Sequence, residues 1–187
     1  MSAGRESIRE LFEQREREFM FGKARVKMRA SVENIEAGDY GIESFSEGQS
    51  VELPRWVAEE LVGLNLAEAS DEPFEVEVFR ALSKEKMMGP LQLSTLPENF
   101  YIRMRRRMRH LEDAADEGRV RRDEFEKLRA VCYDLVGMRL SKLLALSSSS
   151  AKASDLGDRL APEERAFFGE AQSISAGWRA ALLGGMK

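Results

Sequence analysis

Cysteine and histidine are almost missing from this 187-residue chain: Cys132 and His110 are single occurrences. A lone cysteine excludes an intrachain disulfide and any cysteine cluster. With the two residues 22 positions apart, no metal-binding set of imidazoles and thiolates can be assembled. His110 lies in an arginine-rich segment with no orienting partner, which argues against a base for nucleophilic catalysis. Cys132, inside the apolar stretch Val131–Val136, reads as a small buried hydrophobe. Glycines are scattered, and Gly41, Gly48 and Gly63 do not make the closely spaced strand-to-helix loop that cradles phosphate. The adjacent acids Glu59/Glu60 and Glu163/Glu164 are ordinary at helix starts, where the dipole favours them. No stretch approaches the roughly 20 apolar residues of a membrane span. Met1–Met20 mixes Arg and Glu without the apolar region of a secretory signal. The expectation is a cytoplasmic, non-enzymatic protein with no catalytic, cofactor-binding or metal-binding residues.

What the chain has in quantity is charge, 33% of its residues, unevenly placed. Residues 1–70 carry 9 Lys+Arg against 14 Asp+Glu, a net of -5; residues 71–98 carry 3 against 6, a net of -3. Residues 99–152 reverse the sign with 13 against 8, a net of +5, and residues 153–187 return to -1 with 4 against 5. Alternation of this kind suits protein partners better than a dedicated DNA binder.

Periodicity divides the chain in two. Residues 1–20 read either as a short helix with Ile8, Leu11, Phe12 and Phe19 on one side, or as an extension that orders only against a partner. From residue 21 the period becomes two. Ala24, Val26, Met28, Ala30 and Val32 alternate with Lys23, Arg25, Lys27, Arg29 and Ser31, predicting a strand with an apolar inner and a basic outer face. Turn signals at Gly38-Asp39 and Glu47-Gly48 flank a second strand around residues 40–45, and a third covers 50–53. Pro54 is read as setting the first turn of a helix that buries Trp56, Val57, Leu61 and Leu64. The small β-rich domain therefore spans 21–69, with a linker at 70–73.

Residues 74–187 read as a helical bundle, so the fold class is α+β. Phe74, Val78, Ala81 and Leu82 have helical spacing, although Phe74/Val76/Val78 also fits a strand. Pro97-Glu98-Asn99 begins a helix whose seam is Tyr101, Met104, Met108, Leu111 and Ala115. Residues 122–146, apolar on most sides from Val131 onward, read as the central helix. Ser147–Ser154 reads as a flexible loop, and Pro162-Glu163-Glu164 starts a last helix burying Phe167, Phe168, Ala171, Ile174 and Trp178.

Two sets of side chains are candidates for contact with partners. Arg103, Arg105, Arg106, Arg107 and Arg109 crowd one helix and fit either a solvated, protein-pairing face or a nucleic-acid contact. The basic strand at 23–29 carries the same two readings. The large aromatic residues Trp56, Tyr101, Phe167, Phe168 and Trp178 are either core or subunit anchors, where Trp is over-represented.

Four stretches resemble a known family. They are Val51–Ala58, the lead-in Leu96-Pro97-Glu98-Asn99-Phe100-Tyr101, the helix end Arg139-Leu140-Ser141-Lys142-Leu143-Leu144-Ala145, and the helix start Leu160-Ala161-Pro162-Glu163-Glu164-Arg165. In order and spacing they resemble subunits of the GINS complex, over roughly 150 residues. The resemblance implies a small B domain ahead of a helical A domain, the arrangement of the archaeal subunit type that corresponds to eukaryotic subunits two and three. It also implies a non-catalytic scaffold in DNA replication, in a cytoplasmic, nucleoid-associated setting. The implied partners are a second GINS-type subunit in a heterotetramer (or copies of itself), the MCM helicase and a RecJ-like protein. The alternative from the residues alone is a nucleic-acid-binding regulator using the basic helix and strand.

Overall fold

The first helix, α1 (Ala3–Phe21), rests on a dense mixture of Arg and Glu, with i,i+3 and i,i+4 contacts such as Arg15–Glu18 and Gln14–Glu18 along its exposed side. The computed structural model describes residues 3–33, 35–37, 40–42, 44–70, 72–149 and 152–184. The chain divides into two compact units, residues 13–72 and residues 1–12 together with 73–187. The charged N-terminal segment is thus one helix whose residues are shared between the units.

In the unit of residues 13–72, β1 (Lys23–Met28) forms because its alternation puts Ala24, Val26 and Met28 inward and Lys23, Arg25 and Lys27 outward. It is the middle strand of an antiparallel sheet between β4 (Ser50–Pro54) and β5 (Ala67–Ala69). Register is fixed by Ala24↔Leu53 and Val26↔Val51 on one side and Met28↔Ala67 on the other. A one-residue slip would turn the whole apolar set to solvent. β2 (Ile35–Ala37) and β3 (Tyr40–Ile42) form a separate antiparallel pair, and Val32 bridges to Phe45 outside it. The expected turn at Gly38-Asp39 lies outside the described residues.

Helix α2 (Arg55–Gly63) covers the inner face of the sheet, burying Val57, Ala58 and Leu61 against Val26, Met28, Leu53 and Ala67. Pro54 closes β4 with φ -51 and ψ 136 and therefore stands before the helix rather than inside its first turn. Leu64, expected in the buried stripe, is exposed because α2 has already ended at Gly63. Phe19 of α1 is buried in the same unit, with the Arg55 guanidinium 4.2 Å from its ring centre.

The other unit contains α3 (Phe74–Met87), α4 (Phe100–Asp116), α5 (Arg122–Ser147), the short α6 (Ala153–Leu156) and α7 (Pro162–Leu183). Residues 74–87 are helical rather than extended: Phe74, Val78, Ala81, Leu82 and Glu85 are buried at helical spacing, while Val76 is exposed. Glu75 and Glu77 in the first turn and Lys84 and Lys86 in the last complement the helix dipole. Helix α4 starts one turn later than Pro97 suggests, after Asn99 in the left-handed region at φ 55. It ends at Asp116, and the chain turns away at Gly118, whose φ of 72 suits glycine.

The main core joins Phe74, Val78, Leu82, Phe100, Tyr101, Leu111, Phe125, Leu128, Cys132 and Leu135, with Phe12, Met104, Met108 and Ala115 packed against it. Each large apolar side chain withdrawn from water contributes about 1.5–3 kcal/mol. A second cluster gathers Leu93, Leu143, Leu146, Leu156, Leu160 and Phe168. The end of α7 departs from expectation. Ile174 and Trp178 are exposed, because α7 carries its apolar row further than the helices that cover its first half. Helix α5 is the central helix, packed against α3, α4 and α7, and its remaining side leaves Tyr133, Leu140 and Leu144 exposed. The stretch expected as a loop also differs, since Ser147 is a buried helical residue and residues 153–156 are helical.

Candidate functional site

Among the described residues the largest fully buried side chain is an arginine, Arg139 of α5, at 1% exposure. Its guanidinium has five N–H donors, and all five are used. Nε and Nη2 grip the Glu164 carboxylate at 2.5 and 2.7 Å. Nη1 donates to Glu85 Oε2 and to the Ser94 carbonyl, both at 2.8 Å, and Nη2 donates to the Arg159 carbonyl at 2.8 Å. Lys142, one helical turn on, donates to the Glu85 carbonyl at 2.9 Å and to its Oε1 at 2.7 Å. Glu85 Oε2 also accepts from the Ser94 amide and hydroxyl at 3.1 and 2.6 Å. Glu164 accepts from the Tyr101 hydroxyl at 2.6 Å and from the Ala161 amide at 3.0 Å.

Two cations and two carboxylates balance, so the node carries no net charge into the core. Burial alone would raise the Glu85 carboxyl, but the hydrogen bonds from Lys142 and Ser94 outweigh it and hold the group below its ordinary value. Burial likewise works against the charge on Arg139, and the Glu164 carboxylate overrides it, leaving the guanidinium more basic than usual. Tyr101 is held protonated, pushed up by burial and by the Glu164 carboxylate it donates to.

Chemically, this arrangement consumes its functional groups instead of presenting them. Both carboxylates accept from several fixed donors. Structurally, it ties α3, α4, α5 and the start of α7 to one point. A shift of register in any of these helices would strand a buried charge, which costs several kcal/mol. Three of the stretches singled out in the sequence meet here: Tyr101 from Leu96–Tyr101, Arg139 and Lys142 from Arg139–Ala145, and Glu164 from Leu160–Arg165. Glu85 and Ser94 were not singled out. A signal for Glu85 existed, since it is an acid on the inward row of Phe74, Val78, Ala81 and Leu82.

The arginines of α4 are largely engaged within the bundle. Arg103 pairs with Glu77 at 2.6 Å, and Arg107 pairs with Glu75 at 2.6 Å, so both face α3. The Arg105 guanidinium lies 5.7 Å from the ring centre of Phe12. Arg106 is half-buried, Arg109 is exposed, and both have partners. His110 is exposed. Cys132 is buried, and desolvation with the nearby Glu75 charge pushes its thiol up to about 11. Among the described residues, no group of three or more His, Cys, Asp or Glu is placed to hold a metal ion.

The five aromatic residues considered as subunit anchors separate. Tyr101 and Phe168 lie inside the bundle and offer no surface to a partner. Phe167 is partly buried against the second cluster, and Trp56 is partly buried against the core of the β unit. Trp178 alone among them is open, at 67% exposure.

A family model for the GINS complex protein helical bundle domain (Sld5) matches residues 70–183. No curated protein matches the chain.

Proposed function

The chain belongs to the GINS family of replication-complex subunits through the helical bundle of residues 70–183, and from that premise we propose that it is a non-catalytic scaffold whose bundle docks other subunits. Assembly with other GINS subunits is what membership implies. The finer reading is the archaeal subunit type with its small domain ahead of the bundle, working in a tetramer that bridges the MCM helicase and a RecJ-like protein. The order of the two units, β-rich first and helical second, supports it. In this reading the small unit docks a further partner while the bundle holds the complex together.

The observation that carries the proposal is the outer half of α7. Residues 171–183 hold one charged residue, Arg179, in a chain where a third of residues are charged. Ile174, Trp178 and Leu182 follow one another at four-residue spacing on the face that began with Phe167 and Ala171, and they are exposed at 71%, 67% and 58%. Arg179 points elsewhere, donating to the Ser148 carbonyl at 3.1 Å at the end of α5. A tryptophan-centred apolar row left open on an otherwise charged protein is the signature of an interface.

Light scattering on the purified chain, alone and co-expressed with a second GINS-type subunit, tests this. An assembly larger than the monomer is expected, and Trp178→Glu is expected to dissolve it without changing the helical circular dichroism. A chain that stays monomeric in both preparations would remove the proposal.

A further inference from the structure

The unit of residues 13–72 is acidic, with 7 Lys+Arg against 14 Asp+Glu, a net of -7. Four of those seven cations stand in one row. Lys23, Arg25 and Lys27 occupy the outward positions of β1, and Arg29 continues the row directly after it, where its amide still donates to the Leu66 carbonyl at 2.8 Å. All four are exposed, and alternate positions on a strand are about 7 Å apart. Because β1 is the middle strand, hydrogen-bonded on both sides, the spacing of the row is set by backbone rather than by flexible loops.

Two carboxylates flank the row. Glu52, opposite Arg25 in the register, pairs with it at 2.8 Å; Glu68, opposite Lys27, is reached by Arg29 at 3.4 Å, while Arg29 also donates to Asn65 at 2.7 Å. The Arg25 contact holds the Glu52 carboxyl below its ordinary value, so it stays ionised. Neither Lys23 nor Lys27 forms an ion pair or a hydrogen bond among the described residues, although the Lys23 charge also helps to lower the Glu52 carboxyl. Among the described residues the face therefore carries four cations against two anions, inside a unit whose total is strongly negative.

We propose that the outer face of the β4-β1-β5 sheet is a docking site for an extended acidic peptide segment of a partner protein, whose carboxylates at alternate residues follow the row, those four residues apart meeting Lys23 and Lys27. This deepens the reading of the small unit as a docking module. Charge complementarity selects the occupant. An extended peptide repeats its side chains on one side at the same interval of about 7 Å as the row itself. A nucleic-acid strand fits worse, because every nucleotide brings a charge toward Glu52 and Glu68. None of β1, β4 and β5 carries an aromatic side chain on which bases could stack.

The test is fluorescence anisotropy on the full chain with a labelled peptide of alternating glutamate and serine. The comparisons are a peptide of the same composition with its glutamates in one block, and an oligothymidine single strand. The alternating peptide is expected to bind more tightly than either, and to weaken as salt screens the row. Lys23→Glu/Lys27→Glu is expected to lose about tenfold or more in affinity, equivalent to about 1.4 kcal/mol, and to gain binding to an alternating lysine-serine peptide. The oligomeric state of that variant stays unchanged, so failure here is separable from failure of assembly through the bundle. Equal binding by wild type and variant, or tighter binding of the oligothymidine than of the peptide, would overturn the proposal.

Discussion

Arg139 shows how much one side chain can fix when every donor it has is spent. Its value lies less in net stability than in what its loss leaves behind, two buried carboxylates short of a cation. Arg139→Ala is expected to lower stability by about 3–5 kcal/mol. Arg122→Ala, which removes exposed pairs with Asp116 and Glu126, should cost less than about 1 kcal/mol. Urea denaturation of both variants reads the difference, and equal losses would mean that the node is not a constraint. The same node gives a pH signature. Glu85 is more acidic in the folded chain than in the unfolded one, so its contribution is complete above about pH 4.3 and disappears as pH falls below that value. Stability is expected to drop on the acid side, with a shallower slope in Glu85→Gln. Cys132 works in the opposite direction. Its thiol keeps its proton up to about 11 in the fold, whereas the unfolded chain releases it near about pH 8.5. Stability should fall as pH rises between those values, and a thiol reagent at mild pH should label the native protein far more slowly than the urea-unfolded one.

At the scale of elements, local rules account for most starts and stops, and glycine offers a clean test. Gly169 lies inside α7, and a Cβ there would meet nothing within 4 Å. Gly169→Ala should therefore raise stability by about 0.5–1 kcal/mol, measured as a shift in the urea midpoint at constant slope. A loss would mean that this side of α7 is already covered by a partner. The two-residue period of Lys23–Met28 and the helical period of Tyr101–Ala115 were legible in the sequence because each element has one wet and one dry side. The strands β2 and β5, at three residues each, are too short for a period to register. Ile174 and Trp178 were legible as an apolar row read as buried in the bundle, with a subunit anchor as the other reading of Trp178. Periodicity reports that a face avoids water, not which body covers it. The ionic node was legible only in pieces, since Tyr101, Arg139 and Glu164 are separated by up to 63 positions. Their meeting is a product of helix packing that no local pattern contains.

Taken whole, the molecule carries two exposed faces of opposite physical character, each proposed to dock a partner. The α7 row is apolar, and its association should draw on hydrophobic burial, which salt does not screen. The β1 row is ionic and exposed, and its attraction fades as the screening length shrinks from about 10 Å at 0.1 M salt to about 3 Å at 1 M. The chain's net charge of -4 adds a weak mutual repulsion between copies or acidic partners, which salt relieves. Raising sodium chloride from about 0.1 to about 1 M is therefore expected to leave the subunit assembly intact or slightly tighter. Over the same range, binding of the acidic peptide should be lost. Sulfate, excluded from protein surfaces, should strengthen assembly further, and cooling should weaken it. Sedimentation velocity across the salt series, run beside the anisotropy titration, separates the two. Dissolution of the assembly by high salt would show that charge, not the Ile174–Trp178–Leu182 row, holds the subunits together.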